Sequence, residues 1–564
     1  MAKIQFSGWQ RRYWPGWLIL AMVLPFWQTA WSAACPVPAG SSTGQWQGEA
    51  AWDALAARGY RIGAIHIIVV NVFELNNPAE TAWYARFADT VHIKTHSKAV
   101  REQLLFKSGD AVDPRVIYES ERRLHGLIYL RDSSIEPENC NGRDVDAMVQ
   151  VKDAWTLKLD FEFAHVGGQN TSQFEVTDSN FLGTGKALAV GHTANPQRTA
   201  NLLTYQDPSL LGSYWQLAAT YEDMSDGHIK ALNVGQPFYE DQAPWSLQTS
   251  FYDQKQGIYF YNDGALGWIA PSTLQQHTVS WAHLIDWSGD SGMRAGLLYT
   301  DGAYAYGTPQ PQNPGVLPEP VLTSRQLAGP ALTWEFFQDR YASFTNMEYI
   351  DRPEDYNLGW IVDLQAGHYG KNFGGDVSAP FYGLSASWGA ELRSDTLLLA
   401  SGFVNERQQD GESRNLLSNL TFTAYNQYFP WQALVAHAQW DSVLRPDPES
   451  YLYIGGLQGL RGYPNYFAIG DRRWQATFED RIVTPVQILS LFQLGFVGYV
   501  DMAQIHQLSP AGWSPAYSDA GLGLRIGDIR SAFSNTLYFT IAWPLRSAPG
   551  VHGHEIVIGN IINF

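Results

Sequence analysis

The chain has 564 residues, 45% of them apolar, enough to bury a large core or to cover a large barrel. Its formal net charge is −18, from 37 basic against 55 acidic residues, and it carries no basic stripe for phosphates, which argues against a nucleic-acid partner. Two cysteines, Cys35 and Cys140, are too few for a disulfide scaffold and lack metal-ligand spacing. Aromatics reach 14%, with 22 Trp and 29 Tyr, an enrichment expected of membrane-interface girdles and also of carbohydrate-binding β-proteins.

Arg11 and Arg12 precede an apolar run from Trp17 to Trp27, and Ser32-Ala33-Ala34 offers small residues at the −3 and −1 positions. Residues 1–34 therefore read as a cleaved export signal, outside the fold. Cleavage after Ala34 leaves Cys35 first, and two fates stay open. One is a lipid anchor, although Ser32 stands where lipoprotein signals carry Leu. The other is a Cys35–Cys140 disulfide in an oxidising compartment. Residues 35–59 form a Pro-, Gly- and Ser-rich linker with a short helix, Glu49 to Arg58, that stops at Gly59. No run of about eighteen apolar residues follows the signal, so no transmembrane helix is expected.

Residues 60–155 read as a small α+β unit. Ile62, Ile65, Ile67, Val69 and Val70 make a β-branched strand, and Ser97 can cap a helix carrying Val100, Leu104 and Leu105. Asp113-Pro114 starts a second helix with Ile117, Leu124 and Ile128 to one side. Strand patterns Tyr129 to Ile135 and Val145 to Trp155 close the unit. This order resembles a POTRA domain, the periplasmic module of outer-membrane translocases. The resemblance rests on Phe106-Lys107-Ser108-Gly109-Asp110 between the helices and on Leu124-His125-Gly126-Leu127 before the second strand. It implies β-augmentation of client strands at a sheet edge; a plain periplasmic spacer is the simpler alternative.

From residue 156 to 564, strand patterns alternate with period two between polar turns. Trp215, Leu217, Ala219 and Tyr221 share one face. Leu537, Phe539, Ile541 and Trp543 oppose Thr536, Tyr538, Thr540 and Ala542, and Leu522, Leu524 and Ile526 oppose Gly521, Gly523 and Arg525. A greasy face backed by small, polar or charged residues is a lipid-facing wall around a wet lumen, and in lipid such a wall must close. The fold class expected is mainly β, an antiparallel transmembrane barrel after one small α+β domain. The end of the chain, with Gly559, Ile562 and a final Phe564, resembles the terminal signature of outer-membrane barrels.

Between two strand patterns lies Gly455-Gly456-Leu457-Gln458-Gly459-Leu460-Arg461-Gly462-Tyr463. Leu460-Arg461-Gly462-Tyr463, about a hundred residues from the C-terminus, resembles the inward-folded loop motif of BamA-type and TamA-type barrels and of two-partner secretion translocators. Asn180-Phe181-Leu182-Gly183-Thr184-Gly185-Lys186 and Asp207-Pro208-Ser209-Leu210 add to the likeness. The resemblance implies sixteen strands, a Gram-negative outer-membrane location with the N-terminal domain in the periplasm, and an arginine inside the barrel paired with acidic residues of following strands. Period two independently places Glu479 with Gln475 and Thr477, and Asp501 with Gln493 and Tyr499, on lumen faces. A planar guanidinium that never deprotonates suits such carboxylates.

The function expected is outer-membrane protein insertion or translocation. The partners are membrane lipid, a client polypeptide, and periplasmic or lipoprotein partners. No cofactor is implied, and no enzyme activity is expected: the chain has no Gly-x-Ser-x-Gly elbow, and Gly183-Thr184-Gly185-Lys186 lacks the spacing of a phosphate loop. The pairs His92/His96 and His552/His554 lack a third metal ligand. The alternatives are a secretion translocator for a single cognate protein, or a passive porin, which has no need of an Arg461 loop.

Overall fold

The computed structural model describes residues 49–73, 86, 90, 92–166, 169–240, 242–508, 511–529, 536–551 and 553–559. The export signal, Cys35, His552, Ile562 and Phe564 lie outside them.

The first unit runs α1 (Glu49–Ala57), β1 (Arg61–Val70), α2 (Ser97–Arg101), α3 (Pro114–His125), β2 (Leu130–Asn141) and β3 (Asp144–Asp153). The sheet order is β1-β3-β2, with β1 parallel and β2 antiparallel to β3. The central strand alternates as its position demands: Val145, Ala147, Val149 and Val151 are fully buried. Trp52 and Leu55 of α1 close the core, and the Trp52 indole donates to the Ile135 carbonyl at 2.9 Å. Asp113 caps α3, accepting from the Arg115 amide at 3.0 Å, with Pro114 in the first turn.

Two local expectations change. The cap position of α2 belongs to His96, which makes no side-chain cap bond; Ser97 lies inside the helix. β2 runs on past Ile135 to Asn141 because its register shifts between Pro137 and Cys140, a bulge that lets an edge strand hold a proline. Cys140 is disulfide-bonded, and the chain's one other cysteine, Cys35, lies outside the described residues.

The rest closes into a ring. It contains twenty-three strands among the described residues, of which Gln310–Pro311, Leu452–Ile454 and Ala511–Trp513 are short appendages to longer neighbours, leaving twenty that form the wall. Neighbouring strands are antiparallel throughout. The expected sixteen is therefore corrected to twenty. The reason lies partly in residues 157–236, where six strands of eight to ten residues are joined by short turns. Strands of that length are just long enough to cross a bilayer, so little chain makes many crossings. The ring shuts where Glu555–Gly559 meets Leu157–Val166, with one registered pair, Ile556 to His165, among the described residues.

Burial is inverted relative to a soluble protein. Phe161, Trp281, Leu332, Phe478, Leu522 and Trp543 are exposed on the outside, while Glu479, Arg481, Asp501 and Arg525 are buried inside. A wall apolar outward and charged inward is stable only with lipid around it. Among the described residues no helix is long and apolar enough to cross a membrane. Leu157–Val166 leaves the soluble unit, so connections after odd-numbered strands lie at the far end of the ring and those after even-numbered strands at the near end.

Candidate functional site

The connection after the fifteenth strand, Gln432–Leu444, is a far-end loop of residues 445–467 that folds back into the ring. Arg461 sits on it, 2% exposed. Its Nε and Nη2 donate to the two oxygens of Asp501, each at 2.7 Å, and its Nη1 donates to Glu479 Oε1 at 2.7 Å. The Arg461 Cζ lies over the Tyr499 ring, 3.3 Å from its centroid. The fork thus uses a bidentate carboxylate, a second carboxylate and an aromatic face, a set that a lysine could not fill. The wall strands supply these partners by pleat alone: Glu479 belongs to Ala468–Ile488, and Tyr499 and Asp501 to Phe492–Leu508.

The rest of the motif seats the loop. Leu460 and Tyr463 are fully buried with Ile454, Phe467 and Ile505. The Tyr463 hydroxyl lies 3.1 and 3.0 Å from the carbonyls of Ser518 and Arg546, to which it donates. Gly462 is required by close approach: a Cβ there would lie 2.7 Å from the Asp519 Cβ. Asp519 stands directly opposite Asp501 in the strand register and is fully buried.

The network extends further than the motif indicates. Arg481, two residues beyond Glu479 on the same face and fully buried, donates from Nε to Glu479 Oε2 at 2.7 Å. Thr477 donates to Asp501 Oδ1 at 2.9 Å. The period-two argument that turns Glu479 inward also turns Arg481 inward, so this partner was available to the same reasoning. The stacking of Tyr499 had no local signal beyond its inward parity.

At the near end, the other two motif-like segments hold the soluble unit. Asn180 is buried; its Nδ2 donates to Thr95 Oγ1 at 2.7 Å, and its Oδ1 accepts from the Gly185 amide at 2.6 Å. The His96 amide donates to the Gly183 carbonyl at 2.8 Å, and Gln103 donates to Ser209 Oγ at 2.6 Å. Leu182 and Leu211 occupy the same place in both loops, each in left-handed backbone with φ of 55° and 56°. Arg123 reaches the Tyr239 carbonyl at 2.7 Å. His92 binds Asp153 at 3.0 Å within this joint, a structural role. Between the unit and the inner wall lies a cavity of about 580 Å³, bounded in part by Leu127, Tyr129, Asp207, Asn233 and Thr278.

Of the terminal signature, Gly559 is seen at the buried end of the last strand, opposite Tyr538. His554 is exposed, and no group of three or more potential metal ligands occurs among the described residues.

Fold and site together define a large antiparallel β-barrel, apolar on its outer face, whose lumen is occupied by a clamped far-end loop. No protein-family model matches the chain, and no curated protein matches it. Among solved structures it is similar to BamA from Haemophilus ducreyi lacking POTRA domains 1–3, at 13% identity over 88% of this chain and 84% of that one, with a TM-score of 0.37. It is also similar to CdiB from Acinetobacter baumannii (15% identity, 88% and 74% covered, TM-score 0.42) and to CdiB from Escherichia coli (12%, 88% and 75%, 0.42).

Proposed function

We propose that this chain inserts or translocates polypeptides at the Gram-negative outer membrane, as a barrel of the BamA/TamA type. One POTRA-like module at about residues 60–155 would lie on the periplasmic side and receive the client. The observation that carries the reading is the Arg461 loop, held in the lumen by two buried carboxylates of adjacent wall strands. The loop ties the strands Ala468–Ile488 and Phe492–Leu508 to one another across the lumen. A barrel that must hold its C-terminal strands rigid while its seam yields gains a fixed frame from it. The seam, where Glu555–Gly559 meets Leu157–Val166, is the place where the wall would part for a client.

A second reading, passage of one cognate polypeptide through the lumen, is favoured by the width of a twenty-stranded ring. Barrels of about sixteen to eighteen strands already leave an aqueous channel when unfilled. No chemical step and no cofactor belong to either reading.

The test is photo-crosslinking in living cells from positions on Leu157–Val166 and Glu555–Gly559, followed by identification of the trapped polypeptide. Other barrel proteins trapped at the seam would support insertion. One secreted protein trapped from lumen positions would support secretion. Capture of no polypeptide from either set would sink both.

A further inference from the structure

The connection after the tenth wall strand, Arg325–Gln338, is a near-end loop, and it is no simple turn. Tyr341–Thr345 pairs with Pro353–Asn357 as a ribbon separate from the barrel sheet. Its root is tied to the soluble unit: Arg122 of α3 donates to Asp339 Oδ1 at 2.6 Å, and its guanidinium stands 5.1 Å from the Tyr341 ring centroid.

Its tip lies inside the ring, against strands far from its root. Arg481 donates to the Met347 carbonyl, and Arg525 to the Glu348 carbonyl, each at 2.7 Å. The Glu348 carboxylate lies 3.1 Å from Arg481 Nη1 and also accepts the Tyr425 hydroxyl. Met347 is fully buried with Phe344 against Leu397, Ala433 and Val435 of the wall. Ile350 is 2% exposed, and a Cβ on Gly527 would come within 2.4 Å of the Ile350 Cβ, so the wall is hollowed where the tip enters. The tip is also internally shaped: Glu354 accepts the amides of Met347, Glu348 and Tyr349, each at 3.1 Å.

Two insertions therefore meet at Glu479. One of its oxygens holds Arg461 of the far-end loop, and the other holds Arg481, which holds the ribbon. Asp501, Arg461, Glu479, Arg481 and Glu348 alternate in charge along one continuous chain. We infer that the ribbon 341–357 is a second plug, entering from the soluble-unit side, and that Arg481 and Glu479 are positioning residues that couple its release to that of the Arg461 loop.

The physics favours joint release. Withdrawing the ribbon strips Arg481 of Glu348 and of the Met347 carbonyl, and takes the Glu348 carbonyl from Arg525. Cations left buried without such partners draw water in. Water around Glu479 and Arg481 then weakens the Arg461 pair by screening it. The bond from Arg122 to Asp339 places the pull on the ribbon within reach of a client docked on the soluble unit. What passes through the opened lumen rests on the transport reading above; the plug itself does not.

The test is conductance of the purified full chain in planar bilayers, which needs no client. Replacing residues 341–357 with a short Gly-Ser linker should raise steady conductance several-fold over the wild type, since an unfilled ring of this size is a channel. Glu479→Gln, which loosens both insertions, should raise conductance more than Glu348→Gln, which loosens one. A point variant covers the case in which the linker variant fails to fold: Glu348→Lys sets a cation against Arg481 and should raise conductance over the wild type and over Glu348→Gln. A folded linker variant conducting like the wild type would overturn the plug, and so would a folded Glu348→Lys variant that conducts like the wild type. Either result leaves the seam crosslinking experiment untouched, and an absence of trapped client leaves the conductance result untouched.

Discussion

The first six wall strands and the last five share one wall pattern and use their interiors differently. Between Leu157 and Gln236 the strands are eight to ten residues long, and a cavity remains between their inner face and the soluble unit. Between Ala468 and Gly559 the interior is filled by the far-end loop and the near-end ribbon, and the inward charges are buried. The first region is held from outside the ring, through Asn180, Gly183 and Ser209 on the soluble unit. The last is held from within, through Arg461, Glu479 and Arg481. Strand pleat decides which side chains face inward; the loops decide whether those side chains meet water or one another.

The sharpest way to break this contrast is to remove the centre of the filled half. Arg461→Ala leaves the buried Asp501 without its cation and Glu479 with Arg481 alone, a loss of about 3–5 kcal/mol when one member of a desolvated pair is deleted. We expect most of the heat-modifiable, folded barrel to disappear. Arg445→Ala, on an exposed arginine 3.2 Å from Glu412, should change folding yield little, because exposed pairs contribute about 0–1 kcal/mol. Equal yields for the two variants would place the clamp's role elsewhere.

Gly462→Ala probes the same half by crowding. The new methyl would press on Asp519 at 2.7 Å, and overpacking of this kind costs about 1–3 kcal/mol. The loop should loosen, which protease cleavage within residues 445–467 on intact cells would report. Unaltered resistance to cleavage would mean that the loop absorbs the methyl by shifting.

In the other half, Asn180→Ala removes the buried bond to Thr95 and the acceptor for the Gly185 amide, a loss of about 1–2 kcal/mol. The soluble unit should become more susceptible to protease in permeabilised cells while heat-modifiability stays normal. A fall in barrel folding would show that the two halves are not held independently.

The smallest effect concerns the soluble unit and pH. Burial raises the Glu121 carboxyl to about 7, opposed by His125 and by the Ile135 amide that it accepts. The folded unit therefore holds this proton more tightly than the unfolded chain. That contribution to stability is complete below the ordinary carboxyl range and is lost as pH rises toward 7 and past it. Hydrogen exchange in the soluble unit should slow between pH 7 and 5 beyond the intrinsic rate change, and Glu121→Gln should abolish that excess. The same excess in the variant would assign it to another group.

What could be read from the residues alone was governed by the strand period and, in part, by capping chemistry, where Ser97 was placed one residue off the true cap. Period two turned Glu479 and Asp501 inward and Phe478, Phe496 and Met502 outward, and the structure has them on those sides. Asp113-Pro114 marked a helix start that a cap bond completes. Three features escaped, each for a reason of distance along the chain. The number of wall strands depends on closure of the whole ring, because tilt and stagger are shared by every strand, and no local window contains them. Asn180 and Ser209 could be read only as family marks, since their partners Thr95 and Gln103 lie some hundred residues earlier and meet them only in the assembled fold. The ribbon Tyr341–Asn357 is two five-residue strands, Tyr-Ala-Ser-Phe-Thr and Pro-Glu-Asp-Tyr-Asn, too short for a period to tell lumen from solvent. The placement of Arg481, Arg525 and the bare Gly527 on the inner wall decides that it enters the lumen, since the ribbon adds two carbonyls and a second carboxylate to these buried cations.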